Sequence, residues 1–320
     1  MMKQFYLNRF EDVLWIITFA CGGSIHSSQL YRWLSAEGKE LKYDTYIAII
    51  TDWERLKLIR RSSIGRSVII HLGQAVYRYF NVQSAVICNA FKLKRTALIM
   101  EKYLTQEKYY QKPPSSLRKR LVKTGGLYLL ALGEAQLLIL ENYRDALEKY
   151  QWDLRGIQHE IETMKEYMNV SASRRHFSKT STHFKSTVMN LYRLTFKSII
   201  VSGATIKQER KNTIFTVYVD IYNILNSSEK MLAKQVLEIY HVINGIFHDP
   251  NNSTHKFNCI TTIYSHQKED KKLINATYHL LKSNNEFCLF NEEDLKKQVR
   301  FVFFDTSRRL FGGIKTDFVV

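Results

Sequence analysis

Cysteine is scarce in this chain: its 320 residues include four, Cys21, Cys88, Cys259 and Cys288. They stand far apart, and no two of them form a CxxC spacing. A small disulfide scaffold and a zinc knuckle both need clustered cysteines, so neither is indicated. The sequence therefore predicts a protein of the reducing cytoplasm.

Long apolar runs are also lacking. The run from Val13 to Ala20 is much shorter than the roughly 20 residues that a membrane-spanning helix needs. It also follows Glu11 and Asp12, an acidic pair that is atypical of a secretory signal peptide. We therefore expect a soluble protein with no membrane partner.

Common catalytic motifs are missing as well. The chain contains no GxxxxGK[ST] phosphate loop, no GxSxG elbow and no HExxH zinc motif. His241, His248 and His255 recur at seven-residue intervals, but Pro250 interrupts any helix that would align them as metal ligands. The sequence therefore predicts no metal site and no cofactor.

Positive charge is what the chain has in excess. Its 47 Lys and Arg residues face 30 Asp and Glu residues, which gives a formal net charge of +17. A surplus of this size favours a polyanionic partner, either a nucleic acid or an anionic membrane face. Charge alone does not choose between the two.

Three helices and a β-hairpin are predicted in the first 80 residues. The third helix begins near Asp44. Its apolar face is predicted to consist of Ile47, Ile50, Trp53 and Leu56. Two β-prone runs follow, 58–61 and 67–71, joined by a turn at Gly65. This order, and above all the segment YDTYIAIITDWERLKLIRR with the basic turn after it, resembles the winged-helix DNA-binding domains common in bacterial regulators.

A winged helix contacts DNA through its third helix and its hairpin, or wing. The predicted base-contacting residues on the third helix are Lys42, Tyr43, Thr45, Tyr46 and Ile49. The predicted cations of the wing are Arg60, Arg61 and Arg66, suited to a phosphate backbone or a minor groove. Ile49 and the nearby Asp52 are not typical base readers. The alternative is a winged helix that contacts protein, with solvated arginines; the charge surplus favours double-stranded DNA.

Heptad spacing marks the segment 140–168. The apolar positions fall in two seven-residue registers: Leu140, Leu147, Leu154, Ile161 and Met168, and Tyr143, Tyr150, Ile157 and Met164. Such spacing predicts one long helix with a coiled-coil seam, and hence a homodimer. Gly156 weakens this helix, and Trp152 lies off the seam. The alternative is a long amphipathic helix packed within its own chain.

The C-terminal part alternates between strand and helix patterns. Strands are predicted at 213–222 and 256–264, and amphipathic helices at 228–244 and 269–281. Two further short strands are predicted at 286–290 and 300–304, with a helical turn at 292–297 between them. Alternation of this kind builds a small α/β domain.

A second resemblance covers most of the chain. The winged helix, the middle helices, the strand ending in an acid, the helix EKMLAKQVLEIYHVI, the strand FNCITTIYS and the segment NEEDLKK together look like the replication-relaxation family of Gram-positive plasmids and conjugative elements. The resemblance lies in the order of the elements. It implies a C-terminal domain similar to restriction-endonuclease-like folds. It also implies an accessory DNA-binding factor of a mobile element, working with a replication or relaxase protein.

Nucleases of the restriction-endonuclease-like fold need an acid and then an acid-x-Lys triplet on adjoining strands, which hold Mg²⁺ and position the attacking water. Asp220 offers the acid, but Asp220-Ile-Tyr222 lacks the lysine. Glu209, the nearest upstream acid, falls in a predicted turn. We therefore expect a degenerate site, no catalytic residues and no enzymatic activity. The alternative is a metal-dependent DNA endonuclease targeted by the winged helix.

The predicted fold is thus a multidomain α+β chain. Residues 1–82 form a winged-helix DNA-binding domain, 83–170 a helical connector with the coiled-coil heptads, and 171–320 a small α/β domain. The predicted function is non-enzymatic DNA binding in plasmid replication, conjugative mobilisation or their transcriptional control.

Overall fold

In the computed structural model of the chain, the described residues are 2–19, 21–35, 41–64, 67–81, 90–105, 132–173, 191, 194, 198–224, 227–266 and 269–304. Helices and strands occur in both halves, so the protein is of the mixed α+β class. The chain divides into two compact units. Unit 1 comprises Met1–Val122, Ser265–Glu269 and Phe303–Val320, and unit 2 comprises Lys123–Tyr264 and Asp270–Val302.

Unit 1 contains six helices and three strands among its described residues. In chain order they are α1 (Met2–Arg9), α2 (Glu11–Phe19), β1 (Ser24–His26), α3 (Ser27–Ser35), α4 (Tyr43–Arg55), β2 (Ile59–Ile64), β3 (Ser67–Leu72), α5 (Gln74–Tyr79) and α6 (Ala90–Thr105). The strands form a sheet in the order β1-β3-β2, and both pairings are antiparallel. The predicted hairpin over 58–71 is confirmed by β2 and β3.

The core of unit 1 forms where α4 buries one face. Tyr46, Ile50 and Trp53 are almost fully buried, at 1%, 1% and 0% exposure. Their spacing of four and three residues places them on one side of the helix. Burying a side chain such as that of Ile50 stabilises the fold by about 1.5–3 kcal/mol. Phe10 packs edge-on against the Trp53 ring, with centroids 5.1 Å apart.

A tight turn connects α4 to β2. Lys57 adopts the left-handed conformation with φ of 57°, and the Leu58 amide donates to the Trp53 carbonyl at 2.9 Å. Gly73 closes over this turn, because its amide donates to the Leu58 carbonyl at 2.6 Å. A Cβ on Gly73 would lie 2.3 Å from the Lys57 carbonyl oxygen. The base of the hairpin is therefore fixed against the end of α4.

Unit 2 is built around a four-stranded sheet with the order β4-β5-β6-β7. Its elements are α7 (Leu132–Glu148), α8 (Arg155–Ser173), β4 (Ile199–Glu209), β5 (Asn212–Asn223), α9 (Glu229–Phe247), β6 (His255–Ser265), α10 (Lys271–Lys282), α11 (Glu292–Gln298) and β7 (Val299–Phe303). The final residues of β6 and β7, Ser265 and Phe303, are assigned to unit 1. β4 and β5 form an antiparallel hairpin with a register shift between Val201 and Gly203.

The prediction of one helix across 140–168 is wrong. The helix ends at Glu148, and α8 begins at Arg155. Between them Gln151 takes the left-handed conformation with φ of 57°, and the Trp152 indole donates to the Phe247 carbonyl at 2.8 Å. α7 and α8 instead form a helical hairpin, in which Lys165 pairs with Glu141 at 3.3 Å.

The heptad side chains that the structure describes pack inside unit 2 and do not form a dimer seam, and the side chain of Met168 lies outside the described ones. Leu140, Leu147, Ile157, Ile161 and Met164 are all at most 1% exposed and belong to the core of this unit. Tyr143 and Leu154 pack against the same core, and Tyr150 is half-buried. The physical reason is that the apolar stripe folds back on itself at Trp152 and meets α9 and the sheet. The prediction of a coiled-coil seam through these residues is therefore wrong.

Most of the C-terminal predictions are confirmed by β5, β6, β7, α9, α10 and α11. The predicted strand at 286–290 is wrong, because those residues form turns. β4 and α5 were not predicted. The helical connector predicted for 83–170 is not a separate body, since α6 belongs to unit 1 while α7 and α8 belong to unit 2.

Candidate nucleic-acid interface

α4 has a buried side and an exposed side. Asp44, Ala48, Thr51 and Arg55 are exposed, and their spacing of four, three and four residues places them opposite the buried face. We call these four residues the outer side of α4. Ala48, Thr51 and Arg55 are missing from the predicted base-contacting set. The four-three-four spacing that starts at Asp44 is the signal that could have found them.

Tyr46, predicted to contact bases, is instead buried at 1% exposure. Its hydroxyl hydrogen-bonds with the Ser27 hydroxyl at 2.6 Å and lies 2.9 Å from the Ser27 carbonyl. Burial raises the pKa of Tyr46 to about 12. Tyr46 therefore anchors α4 to the start of α3 and cannot reach DNA. Ile49 is half-buried and lies at the edge of the exposed side.

Lys42, Tyr43 and Thr45 are exposed at the start of α4, as predicted. The Tyr43 ring is 59% exposed and packs edge-on against Tyr31, with centroids 5.5 Å apart. The Tyr31 hydroxyl donates to the Leu41 carbonyl at 3.0 Å, just before the helix begins. An aromatic cluster therefore fixes the first turn of α4 while leaving one ring open to solvent.

The two described wing arginines lie on opposite faces of β2. Arg61 donates from Nε to a Glu54 carboxylate oxygen at 2.8 Å, and its Nη2 bonds to the same oxygen. These hydrogen bonds from Arg61 lower the pKa of Glu54. Arg60 is exposed, and within the described ranges it has no ion-pair partner. Arg66 and Gly65 lie outside the described residues.

His71 connects the three strands beneath Arg60. Its Nδ1 hydrogen-bonds with the Ser24 hydroxyl at 2.8 Å, and its Nε2 with the Ser62 hydroxyl at 2.7 Å. Arg60 is its direct neighbour across the β2–β3 pairing. Burial, together with the Arg60 charge, lowers the pKa of His71. The two hydrogen bonds of His71 thus link β1, β3 and β2 next to the backbone that carries Arg60.

Two further cations lie where α4 meets β2. Arg55 and Lys57 are both exposed. Arg55 donates to Asp52 at 2.8 Å, and the Tyr6 hydroxyl donates to the other Asp52 oxygen at 2.6 Å. Asp52 and Glu54, the acids of the C-terminal half of α4, are therefore both bound by donors of unit 1.

The candidate nuclease residue does not lie in an acidic cluster. Asp220 is 3% exposed, and the Tyr222 hydroxyl donates to it at 3.1 Å. Glu209 is exposed at the far end of β4. In the part of the chain that the structure describes, no group of three or more His, Cys, Asp or Glu side chains could hold a metal ion.

The three spaced histidines have separate surroundings. His241 pairs with Glu286 at 3.2 Å, and His248 is exposed. The side chain of His255 is buried: its Nδ1 hydrogen-bonds with Asp249 at 2.6 Å, and its ring stacks on Trp152 with centroids 4.6 Å apart. The sequence did not predict this cluster. It joins the α7–α8 turn to the end of α9 and the start of β6, which is a structural role.

No protein-family model matches this chain, and comparisons with curated proteins and with solved structures also gave no match. Among the helices in the described ranges, none combines the length and the apolar character that crossing a bilayer requires.

Proposed function

We propose that unit 1 is a winged helix that binds double-stranded DNA, with α4 in the major groove and the β2–β3 hairpin as the wing. The order α2, β1, α3, α4, β2, β3 and the sheet order β1-β3-β2 support this assignment. In such domains the third helix reads base edges, and the wing contacts the backbone.

One observation carries the proposal: the outer side of α4 is exposed over three turns and is bordered by cations at both ends. Lys42 lies at its start and Lys57 just beyond its end, while Arg55 is paired with Asp52. Arg60 adds a further exposed cation on the adjoining strand. An exposed helix with charges placed in this way can enter a groove while its flanks neutralise phosphates.

The acids of α4 do not contradict this assignment. Asp52 and Glu54 already accept hydrogen bonds from Arg55, Tyr6 and Arg61, so their charges are locally compensated. Asp44 lies in the first helical turn, where a carboxylate interacts favourably with the helix dipole.

We extend the proposal to a non-enzymatic accessory role in plasmid replication, conjugative mobilisation or their transcriptional control. The support is the resemblance in element order to the replication-relaxation family. In this account unit 2 binds a replication or relaxase protein. The endonuclease alternative is not favoured, because Asp220 is buried and hydrogen-bonded by Tyr222.

The test is a fluorescence-anisotropy titration of a duplex with the full chain at several salt concentrations. Each phosphate contact contributes about −0.9 to the slope of log K against log salt. Arg60→Ala and Lys57→Ala should each reduce the magnitude of that slope by about 1. Lys207→Ala is the matched control, because Lys207 is an exposed strand cation of unit 2. Equal slopes for the wild-type protein and the three variants, or no binding at low salt, would overturn the proposal.

A further inference from the structure

The outer side of α4 carries an unusual set of side chains for a helix that enters a major groove. From Tyr43 to Glu54 the sequence contains no Arg, Lys, Asn or Gln. The centre of the outer side consists of Ala48 and Thr51, which are both exposed. Small methyl-bearing side chains therefore occupy the position where groove-reading helices usually carry long polar ones.

These side chains limit which bases α4 can recognise. Guanine is read mainly by Arg or Lys, and adenine by Asn or Gln. The alanine methyl and the threonine methyl instead contact the 5-methyl group of thymine. Short side chains also allow the helix backbone to approach the floor of the groove closely.

We propose that α4 recognises A·T base pairs through thymine 5-methyl groups, with Ala48 and Thr51 as the contact residues. This inference rests on the proposed function and adds the class of DNA sequence that unit 1 prefers. Thymine methyls project into the major groove, so the contact belongs to α4 and not to the wing.

Polar residues lie at both ends of the outer side and limit the methyl contact to its middle. Arg55, the one cation on that side, already donates to Asp52 at 2.8 Å, which holds its guanidinium along the helix. Asp44 is exposed one turn before Ala48, and a carboxylate accepts from the amino group of cytosine. The methyl contact is therefore confined to the middle of the helix.

The first experiment compares alternating copolymers of defined base composition in competition binding with the full chain. Poly(dA-dT) and poly(dA-dU) differ only in the thymine methyl. Each buried methyl should strengthen binding about fourfold, so the dA-dT polymer should compete better by at least that factor. Poly(dG-5-methyl-dC) should likewise compete better than poly(dG-dC), because it presents a methyl in the same groove. Equal competition within each pair overturns the inference.

Poly(dI-dC) separates this contact from a minor-groove contact. It presents the minor groove of A·T DNA but has no thymine methyl. The inference expects it to compete as poorly as poly(dA-dU). Competition equal to that of poly(dA-dT) would assign the preference to the minor groove and overturn the inference.

A matched pair of variants tests Thr51 directly. Thr51→Ser removes the γ-methyl and keeps the hydroxyl, whereas Thr51→Val keeps the methyl and removes the hydroxyl. Thr51→Ser should reduce the dA-dT over dA-dU preference about twofold to fourfold, and Thr51→Val should retain it. A preference unchanged in both variants, or lost only in Thr51→Val, overturns the role of this methyl. If no copolymer is bound at low salt, the proposed function itself fails, whereas binding without methyl preference removes this inference alone.

Discussion

Arg61 on β2 donates from its guanidinium Nε to a Glu54 carboxylate oxygen on α4 at 2.8 Å. The wing and the helix are therefore connected by an ion pair between the two elements proposed to contact DNA. Arg61 was predicted to be a wing cation that contacts DNA, and in the structure its charge is partly compensated by Glu54. Arg60, its neighbour on the opposite face of the strand, is also exposed, but it has no ion-pair partner within the described ranges.

The first prediction concerns this pair. Glu54→Gln removes the negative charge while keeping the shape of the side chain, so Arg61 becomes available to phosphate. We expect tighter DNA binding and a salt slope steeper by up to about 1. Stability should change by less than about 1 kcal/mol, because exposed ion pairs contribute little. Anisotropy titration against salt measures the first effect and thermal unfolding the second. Glu162→Gln is the control, since Glu162 is an exposed helical acid of unit 2; weaker binding by Glu54→Gln would contradict the prediction.

The second prediction tests the packing of α8 against α9 with two glycines. A Cβ on Gly156 would lie 2.5 Å from the Ile246 carbonyl oxygen, whereas a Cβ on Gly245 would meet nothing within 4 Å. Gly156→Ala should therefore destabilise the protein by about 1–3 kcal/mol. Gly245→Ala should stabilise it by about 0.5–1 kcal/mol, because alanine is the better helix former. Denaturant unfolding of both variants measures the difference. Stabilisation by both substitutions would show that α8 does not pack closely on α9.

The third prediction is a pH dependence of unit 1. Burial, with a further contribution from the neighbouring His266, lowers the pKa of His26 from its usual 6.5 to about 4. Burial lowers the pKa of His266 to about 4 as well. A lowered pKa in the folded protein means that, as the pH falls, the unfolded chain binds the proton at a higher pH than the folded protein does. The stability that depends on keeping these two histidines neutral is therefore complete above pH 6.5 and is lost as the pH falls towards 4.

Thermal unfolding across this pH range is the measurement. Each histidine should account for up to about 3 kcal/mol of the loss, since one pKa unit corresponds to about 1.36 kcal/mol. His26→Gln should flatten the pH profile even though it lowers stability at neutral pH. His248→Gln is the matched substitution at an exposed histidine of unit 2. A wild-type profile that is flat from pH 6.5 to pH 4 would contradict the prediction.

Local patterns predicted much of the secondary structure. β5 and β6 combine β-branched and aromatic residues in short runs, and α9 and α10 show clear helical periodicity, so their positions could be inferred. The break between α7 and α8 in the heptad segment could not be inferred from local patterns. It depends on Trp152 donating to Phe247 and on Gly156 approaching Ile246, contacts between residues about ninety positions apart. Heptad spacing shows only which residues are apolar. The same apolar stripe can pack in an intramolecular core as well as in a coiled-coil dimer.

The candidate interface shows a similar limit. The predicted buried face of α4 used Ile47 and Leu56, which are half-buried, and omitted Tyr46, which is buried. Tyrosine can lie on either side of an amphipathic helix, and the bond to Ser27 that decides its place is not visible in the sequence. Compared with the predicted helix, the observed α4 is rotated about its axis. Tyr46 therefore lies on the buried side, and Ala48 and Thr51 lie on the exposed side.

The account depends on direct contact between the exposed residues of α4 and duplex DNA, and site-specific cross-linking measures that contact most directly. The photo-cross-linking residue p-benzoylphenylalanine is introduced at position 45 or 48 of α4, and as a control at the exposed position 208 of β4. After irradiation with a labelled duplex, the account predicts cross-links from positions 45 and 48 that disappear at high salt, and none from position 208. Cross-links of equal yield from all three positions, or from position 208 alone, would contradict it.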